Sequence, residues 1–513
     1  MDKALLQVAE GEDQRTWENK WSTTFVKELK KVSYMAAPMV AVSVSEYLLQ
    51  VISLMMVGYI GELALSGVAI ATSFTNVTGF SLLFGLAGAL ETLGGQAYGA
   101  KKYQKLGSYT YCSILSLLTI CFPVSLLWIF MDKLLTLMGQ DPQISEVASI
   151  YSIWLIPALF ADAVLQSLVR YFQSQGQILP LFLSSCGTIC LHVPLCWALV
   201  HKINLGYIGA ALAIIVALWF NVILLGLYMR CSSSCESTRI LILKDIFISI
   251  KEFLSFALPS AVMICLEWWS FELLVLLSGL LPNSELETSV LSICLSTTSL
   301  HYFIPYGVGA AVSTRVSNEL GAGKPQAARV AVNVVMVLGV SEAMIVSITL
   351  FSCRYVFGYV YSNEKDVIDY VGQMIPLISL SVIVDSLLAV LSGVARGTGW
   401  QHIGAYVNLG AYYLVGIPVA ALLCFVLHFR GQGLWIGILT GSSLQLLLLA
   451  LVTSFTNWQK QATKARERML DGSSIVRILA TKKKKKIKRV SFPSVTALPT
   501  SLIVIDRHPN SYQ

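Results

Sequence analysis

Charge is what this sequence has least of. Asp, Glu, Lys and Arg make up 13% of its 513 residues, about half the globular norm of roughly 25%, while 55% are hydrophobic. A soluble enzyme is excluded. Catalytic signatures are missing as well: there is no HExxH, no GxSxG and no cluster of His with acids, so no catalytic residue and no metal ligand is expected. The 11 cysteines are scattered, mostly inside apolar runs (Cys112, Cys121, Cys186, Cys190, Cys265, Cys294), where they act as small hydrophobes. Cys231 and Cys235 lack partners for a zinc site, and no disulfide framework is visible. The stretch from Met1 to Lys31 lacks a short apolar core with a small-residue cleavage site, so no signal peptide is expected.

What the chain has instead is long apolar runs. A hydrocarbon core of about 30 Å needs roughly 20 apolar residues per helical crossing. Windows of that kind lie at 33–56, 65–90, 108–131, 147–169, 178–201, 206–229, 254–280, 290–312, 329–352, 371–394, 402–427 and 432–456. Runs this long satisfy their backbone in lipid as helices, whereas barrel strands would be about ten residues with strict alternation. The expected fold is an all-α polytopic membrane protein of about twelve transmembrane helices.

Cations then set the orientation, because short loops rich in Lys and Arg stay cytoplasmic. The loops after the even-numbered helices hold twelve: Lys101, Lys102, Lys105, Arg170, Arg230, Arg239, Lys244, Lys251, Arg315, Lys324, Arg329 and Arg396. The opposite loops hold five: Lys133, Lys202, Arg354, Lys365 and Arg430. Both termini are expected in the cytoplasm. Much of the net charge of +7 sits in a tail from Lys460 through Lys482 to Lys486, Lys488 and Arg489. Beside a membrane such a run is attracted to anionic lipid; no nucleic-acid partner is expected.

The two halves of the chain repeat each other. Pro38 matches Pro259 and Glu46 matches Glu267, each 221 residues apart. Gly99-Ala100 matches Gly321-Ala322 at 222; Glu62-Leu63 matches Glu285-Leu286, Asp162 matches Asp385 and Gly176 matches Gly399, each at 223. Six pairs in chain order at a nearly constant spacing define a duplication with six helices per half. Repeats of even helix number are related by an axis along the membrane normal, and their interface is where transported substrates sit. The expected organisation is an N-terminal tail (1–32), an N-lobe (33–230), a polar linker (231–253), a C-lobe (254–456) and a basic C-terminal tail (457–513).

Inside the spans acids appear without bases. Glu46, Asp162, Glu267, Glu272, Glu342 and Asp385 fall in the windows, while Lys and Arg keep to the ends. An ionised carboxylate at the bilayer centre costs at least about 2.5–3.5 kcal/mol by insertion scales, so each is expected to hold a proton or a cation. Glu267 and Asp385 rank first, being mid-helix and repeat-matched; Glu46 and Asp162 are their counterparts, and Glu272 and Glu342 rank last. Ser270 and Phe271 share a face with Glu267, and Ser381 and Ser392 share one with Asp385. Helices 2 and 8 are rich in Ser, Thr and aromatics (TSFTNVTGFSLLFG, LSTTSLHYFIPYG). Trp268, Ser270, Phe271, Thr298, Tyr302, Tyr306 and Ser381 are therefore the candidates for lining a substrate cavity, the aromatics by cation–π contact. His192, His301 and His402 receive no role, and Pro305 is expected to kink helix 8.

With these residues in hand, the sequence resembles the multidrug and toxin extrusion (MATE) family and looks like its plant detoxification branch. The resemblance spans roughly residues 30–458. Its carriers are YLLQVISLMMVGYIGELALSG from Tyr47, GALETLGGQAYGAKKY from Gly88, CLEWWSFELLVLLSGLLPN from Cys265, TRVSNELGAGKPQAAR from Thr314 and DSLLAVLSGVARGTGWQ from Asp385. The resemblance implies two six-helix lobes in a V shape, export of organic compounds and coupling to protons or sodium. It carries the family's acids on the seventh and tenth helices over to Glu267 and Asp385. Glu46 stands where the plant pattern often has a neutral polar residue, and Gly94 where it often has Cys.

The reading is a proton-coupled antiporter, with sodium the other ion these residues suit. It exports small organic xenobiotics or metabolites by alternating access, as a monomer in the plasma or vacuolar membrane, without a cofactor. The rivals are a flippase of a lipid-linked sugar, which would need basic residues at mid-depth, a membrane-embedded enzyme and a channel.

Overall fold

The computed structural model describes residues 2–240, 243–362 and 364–470. Met1–Arg466 is one compact unit holding the whole bundle. The segment 471–513, with the Lys482 to Lys486 run and most of the basic tail, lies outside the described residues, as does the side chain of Lys244.

The described chain is helical throughout, and no strand occurs in it. In chain order the long helices are α1 (Thr24–Gly58, the membrane part of a helix that starts at Asp2), α2 (Glu62–Gly99), α3 (Tyr103–Ile129), α4 (Pro142–Ser174), α5 (Ile178–Lys202) and α6 (Gly206–Cys231). The second half holds α7 (Ser249–Ser278, the membrane part of a helix from Leu243), α8 (Ser284–Gly321), α9 (Pro325–Ser352), α10 (Lys365–Thr398), α11 (Gln401–Val426) and α12 (Arg430–Ser454). Eleven of these are long and apolar enough to cross a membrane; α8 is the exception, the helix with the polar stretch LSTTSLHY. It runs unbroken through Pro305.

Local chemistry fixes the ends. At the start of α4, Asp141 accepts hydrogen bonds from the backbone N–H of Gln143 (2.8 Å) and Ile144 (3.2 Å), with Pro142 at the first helical position where its missing N–H costs nothing. At the end of α10, Gly399 turns the chain at φ 90°, a left-handed conformation that glycine adopts without penalty.

That turn also exposes the duplication in the backbone. Gly176, its repeat mate after α4, has φ 69°. Other left-handed residues pair in the same way: Gly61 with Asn283, Lys101 with Gly323, Asn204 with His428 and Gly206 with Arg430, at spacings of 222 to 224. Wider, π-type turns at Ala198–Lys202 and Leu422–Val426 match as well. Two further π-type segments, Asn76–Phe80 and Leu409–Gly416, have no counterpart in the other half.

The halves meet where the ends of α2 and α8 cross. A Cβ on Gly99 would strike the backbone of Asn318, and one on Gly321 the backbone of Gln96. Gly99 and Gly321 are repeat mates, and so are Gln96 and Asn318, so the same contact is made twice about the pseudo-axis. Small residues let helix backbones approach this closely.

Three of the twelve cations read as loop residues are helical and internal. Arg170 lies in α4 and Arg396 in α10, each 3% exposed, and Arg315 in α8 donates to Glu28 at 2.6 and 3.1 Å and to Glu319 at 2.7 Å. Without them the cation asymmetry is nine to five, with its sign unchanged.

Replacing Gly99 or Gly321 by Leu should destabilise the protein by about 1–3 kcal/mol through overpacking. A lowered unfolding temperature of the purified protein checks this. Gly226→Leu is the control, since a Cβ there meets nothing within 4 Å.

Candidate functional site

The four repeat-matched acids do not end up in equivalent surroundings. Glu267 in α7 is buried, and its carboxylate accepts from Gln445 Nε2 of α12 (3.2 Å), Asn408 Nδ2 of α11 (3.3 Å) and the Tyr302 hydroxyl of α8 (3.5 Å). Asn408 also donates to the Met263 carbonyl at 2.7 Å. It stands at the last α-helical position before the unmatched π-type segment Leu409–Gly416, where the widened turn departs from regular helix geometry. All the donors to Glu267 are neutral. Asp385 in α10 is half-buried and repels Glu267 electrostatically.

In the first half Asp162 of α4 accepts from Gln166 Nε2 at 3.0 Å, and Glu46 of α1 has a buried Oε1 without a hydrogen-bond partner. Among the described residues no Lys, Arg or His comes within ion-pair distance of Glu46, Asp162, Glu267 or Asp385.

The expectation that no base lies at depth is corrected by Arg170 and Arg396. Arg170 donates through Nη1 to Gln166 (2.9 Å) and through Nη2 to the Tyr306 hydroxyl (3.2 Å). It attracts Glu46 and Asp162, and Arg396 attracts Glu267. Both guanidinium groups converge on Glu91 of α2: Arg396 Nε donates to Oε2 at 3.0 Å, and Arg170 Nε lies 3.7 Å from Oε1. The apolar window of helix 2 stops at residue 90, which is why Glu91 escapes a reading from the sequence; an acid in the motif GALETLGGQ is its visible signal.

The other candidates separate into lining and scaffold. Trp268 stacks on Phe84 (ring centroids 5.4 Å apart), Phe84 meets Tyr306 (5.6 Å), and Tyr306 meets Tyr302 (6.1 Å). These rings stand between the Glu267 carboxylate and the guanidinium groups, with Arg170 4.5 Å over Phe84 and Arg396 5.5 Å over Tyr306. Phe271 lies 6.3 Å from Tyr412. Ser270, Thr298 and Ser381 spend their hydroxyls elsewhere. Ser270 donates to the Glu267 carbonyl (2.7 Å), Thr298 to Cys294 and Leu295 carbonyls, and Ser381 accepts from Trp435 Nε1 (2.9 Å). Glu272 is tied to Ser73 (2.6 Å), and Glu342 to Ser386 (2.8 Å) and His301 (2.7 Å). Asn408, Gln445 and Tyr412 were readable only as lone polar groups in apolar runs.

A duplicated helical bundle with acids held in its interior defines a polytopic membrane transporter. The MatE family model matches the chain twice, at residues 38–198 and 259–422, starting points 221 residues apart. Protein DETOXIFICATION 8 of Arabidopsis thaliana is 62% identical over 443 residues, covering 86% of this chain and 91% of that protein. The crystal structure of the eukaryotic MATE transporter AtDTX14 superposes with a TM-score of 0.84 at 58% identity, over 87% of this chain and 100% of that one. The Vibrio cholerae MATE transporter VcmN shares the fold, with a TM-score of 0.78 at 17% identity over 85% and 99%. The chain belongs to the MatE family and is a MATE transporter of the two-lobed fold.

Interhelical hydrogen bonds in membranes average about 0.6 kcal/mol and reach about 1.7. Asn408→Ala and Gln445→Ala should each cost that much, measured as a lower unfolding temperature. Thr440→Ala, whose hydroxyl donates only to its own helix at Ile436, should cost less.

Proposed function

We propose that this transporter exports small organic compounds by exchange against protons, with Glu267 and Asp385 holding either the coupling ion or a cationic substrate. The observation that carries the reading is the surroundings of Glu267: a buried carboxylate with neutral donors and no ion-pair partner, facing a second acid. Two carboxylates in repulsion at low dielectric take up a cation or a proton in preference to staying bare. Outward-side protonation neutralises them, weakens their grip on a cationic substrate and favours its release; reorientation of the lobes returns the protons inward. The same pair of oxygens suits sodium. The wall of Trp268, Phe84, Tyr306 and Tyr302 offers ring faces to a flat organic cation.

The buried arginines revive the flippase reading, since a phosphate group needs cations at depth. Glu91, Glu46, Asp162, Glu267 and Asp385 outnumber Arg170 and Arg396, so the interior as a whole favours positive cargo. In this proposal residues 33–230 and 254–456 are the moving lobes, the termini face the cytoplasm, and the protein works as a monomer in the plasma or vacuolar membrane.

Purified protein in proteoliposomes with imposed pH or sodium gradients tests the assignment, using a panel of cationic, flavonoid and carboxylate compounds. Glu267→Gln and Asp385→Asn should each abolish gradient-driven transport while insertion and folding persist. Undiminished transport in both variants rejects the coupling role.

A further inference from the structure

Glu91 belongs to no part of the site that holds substrate or coupling ion, yet it makes the most deeply buried charge contact between the two halves. Its carboxylate receives Arg396 from α10 of the second half and lies against Arg170 from α4 of the first. Arg396 Nη2 and Arg170 Nε have no hydrogen-bond partner, so Glu91 is the only carboxylate within ion-pair distance of two buried guanidinium groups among the described residues.

Around it runs a layer of neutral bonds that also cross between halves. The Thr92 hydroxyl donates to the Arg396 carbonyl, Gln173 Nε2 to the Ala310 carbonyl (3.1 Å) and Asn318 Nδ2 to the Ser174 carbonyl (3.2 Å). This layer adjoins the crossing of α2 and α8, where Ser317 is buried against Gly95.

We infer that Glu91 is a positioning residue of the transport cycle, the counter-charge that keeps the two halves shut at their cation-rich end. The inference rests on the alternating-access reading above. Its physical basis is the asymmetry of a buried ion cluster: complete, it offsets the loss of hydration; with the acid removed, it leaves two arginines buried and uncompensated. Water entering between the halves relieves that condition, so neutralising Glu91 moves the population toward the state open at this end. Aspartate keeps the charge and should largely restore closure.

The test is the labelling rate of Ser317→Cys by a membrane-impermeant maleimide in detergent-purified protein, read by peptide mass spectrometry so that native cysteines do not contribute. Adding Glu91→Gln should raise the rate at least tenfold, and Glu91→Asp should bring it back to within about threefold of the parent. Arg396→Gln, which removes the partner from the opposite half while leaving Glu91 beside Arg170, should raise it as well and serves where Glu91→Gln does not fold. An unchanged rate in a folded Glu91→Gln or Arg396→Gln protein overturns the inference, and so does an equal rise in Glu91→Asp and Glu91→Gln, which would report lost packing. Labelling needs neither gradient nor substrate, so failure of the coupling assignment at Glu267 and Asp385 leaves this outcome separately readable.

Discussion

A carboxylate taken out of water must be answered by hydrogen-bond donors, by a cation or by a proton, and the interior of this transporter is arranged around that requirement. It meets the requirement in two ways. At Glu267 the answer is amide and phenol groups from three other helices, which orient the oxygens without cancelling their charge. At Glu91 the answer is a pair of guanidinium groups, which cancel it outright. The first arrangement leaves room for a passing cation; the second ties structure together. An acid of each kind, separated by a wall of aromatic rings, lets one end of the bundle exchange charge while the other is held by it.

The duplication supplies the frame and the departures from it supply the chemistry. Left-handed turns and two π-type turns recur at the repeat spacing, so both halves were built on one plan. The irregular segment Leu409–Gly416 breaks that plan directly beside Asn408. Irregular helix is tolerated at membrane depth only where neighbouring groups satisfy it, and such places are often functional. The second half thus gained a complete donor set for its acid, while in the first Glu46 keeps an unpartnered oxygen.

Much of this was legible before the structure. The spans, the repeat, the ranking of Glu267 and Asp385 and the aromatic candidates Trp268, Tyr302 and Tyr306 all follow from apolar length, spacing and the cost of charge in lipid. What escaped did so for physical reasons. Hydropathy windows end where polarity begins, so Glu91, Arg170 and Arg396, each one or two residues past a window, read as loop or boundary residues although their helices continue. Ser270 shares a helical face with Glu267, but a serine hydroxyl within a helix bonds readily to the carbonyl a turn behind it, and this one does. Asn408 and Gln445 are distant in sequence from Glu267, and only the packing of α7, α11 and α12 brings them together.

The doubled contact at the crossing of α2 and α8 has a history written into it. Gly99 meets Asn318 while Gly321 meets Gln96, so position i of one repeat touches position j of the other and the reverse also holds. That reciprocity is the mark of an isologous interface between two identical chains. The gene fusion that produced the present protein therefore joined subunits that already dimerised through this surface, and the seam of the ancestral homodimer survives as the place where the lobes now hinge upon each other.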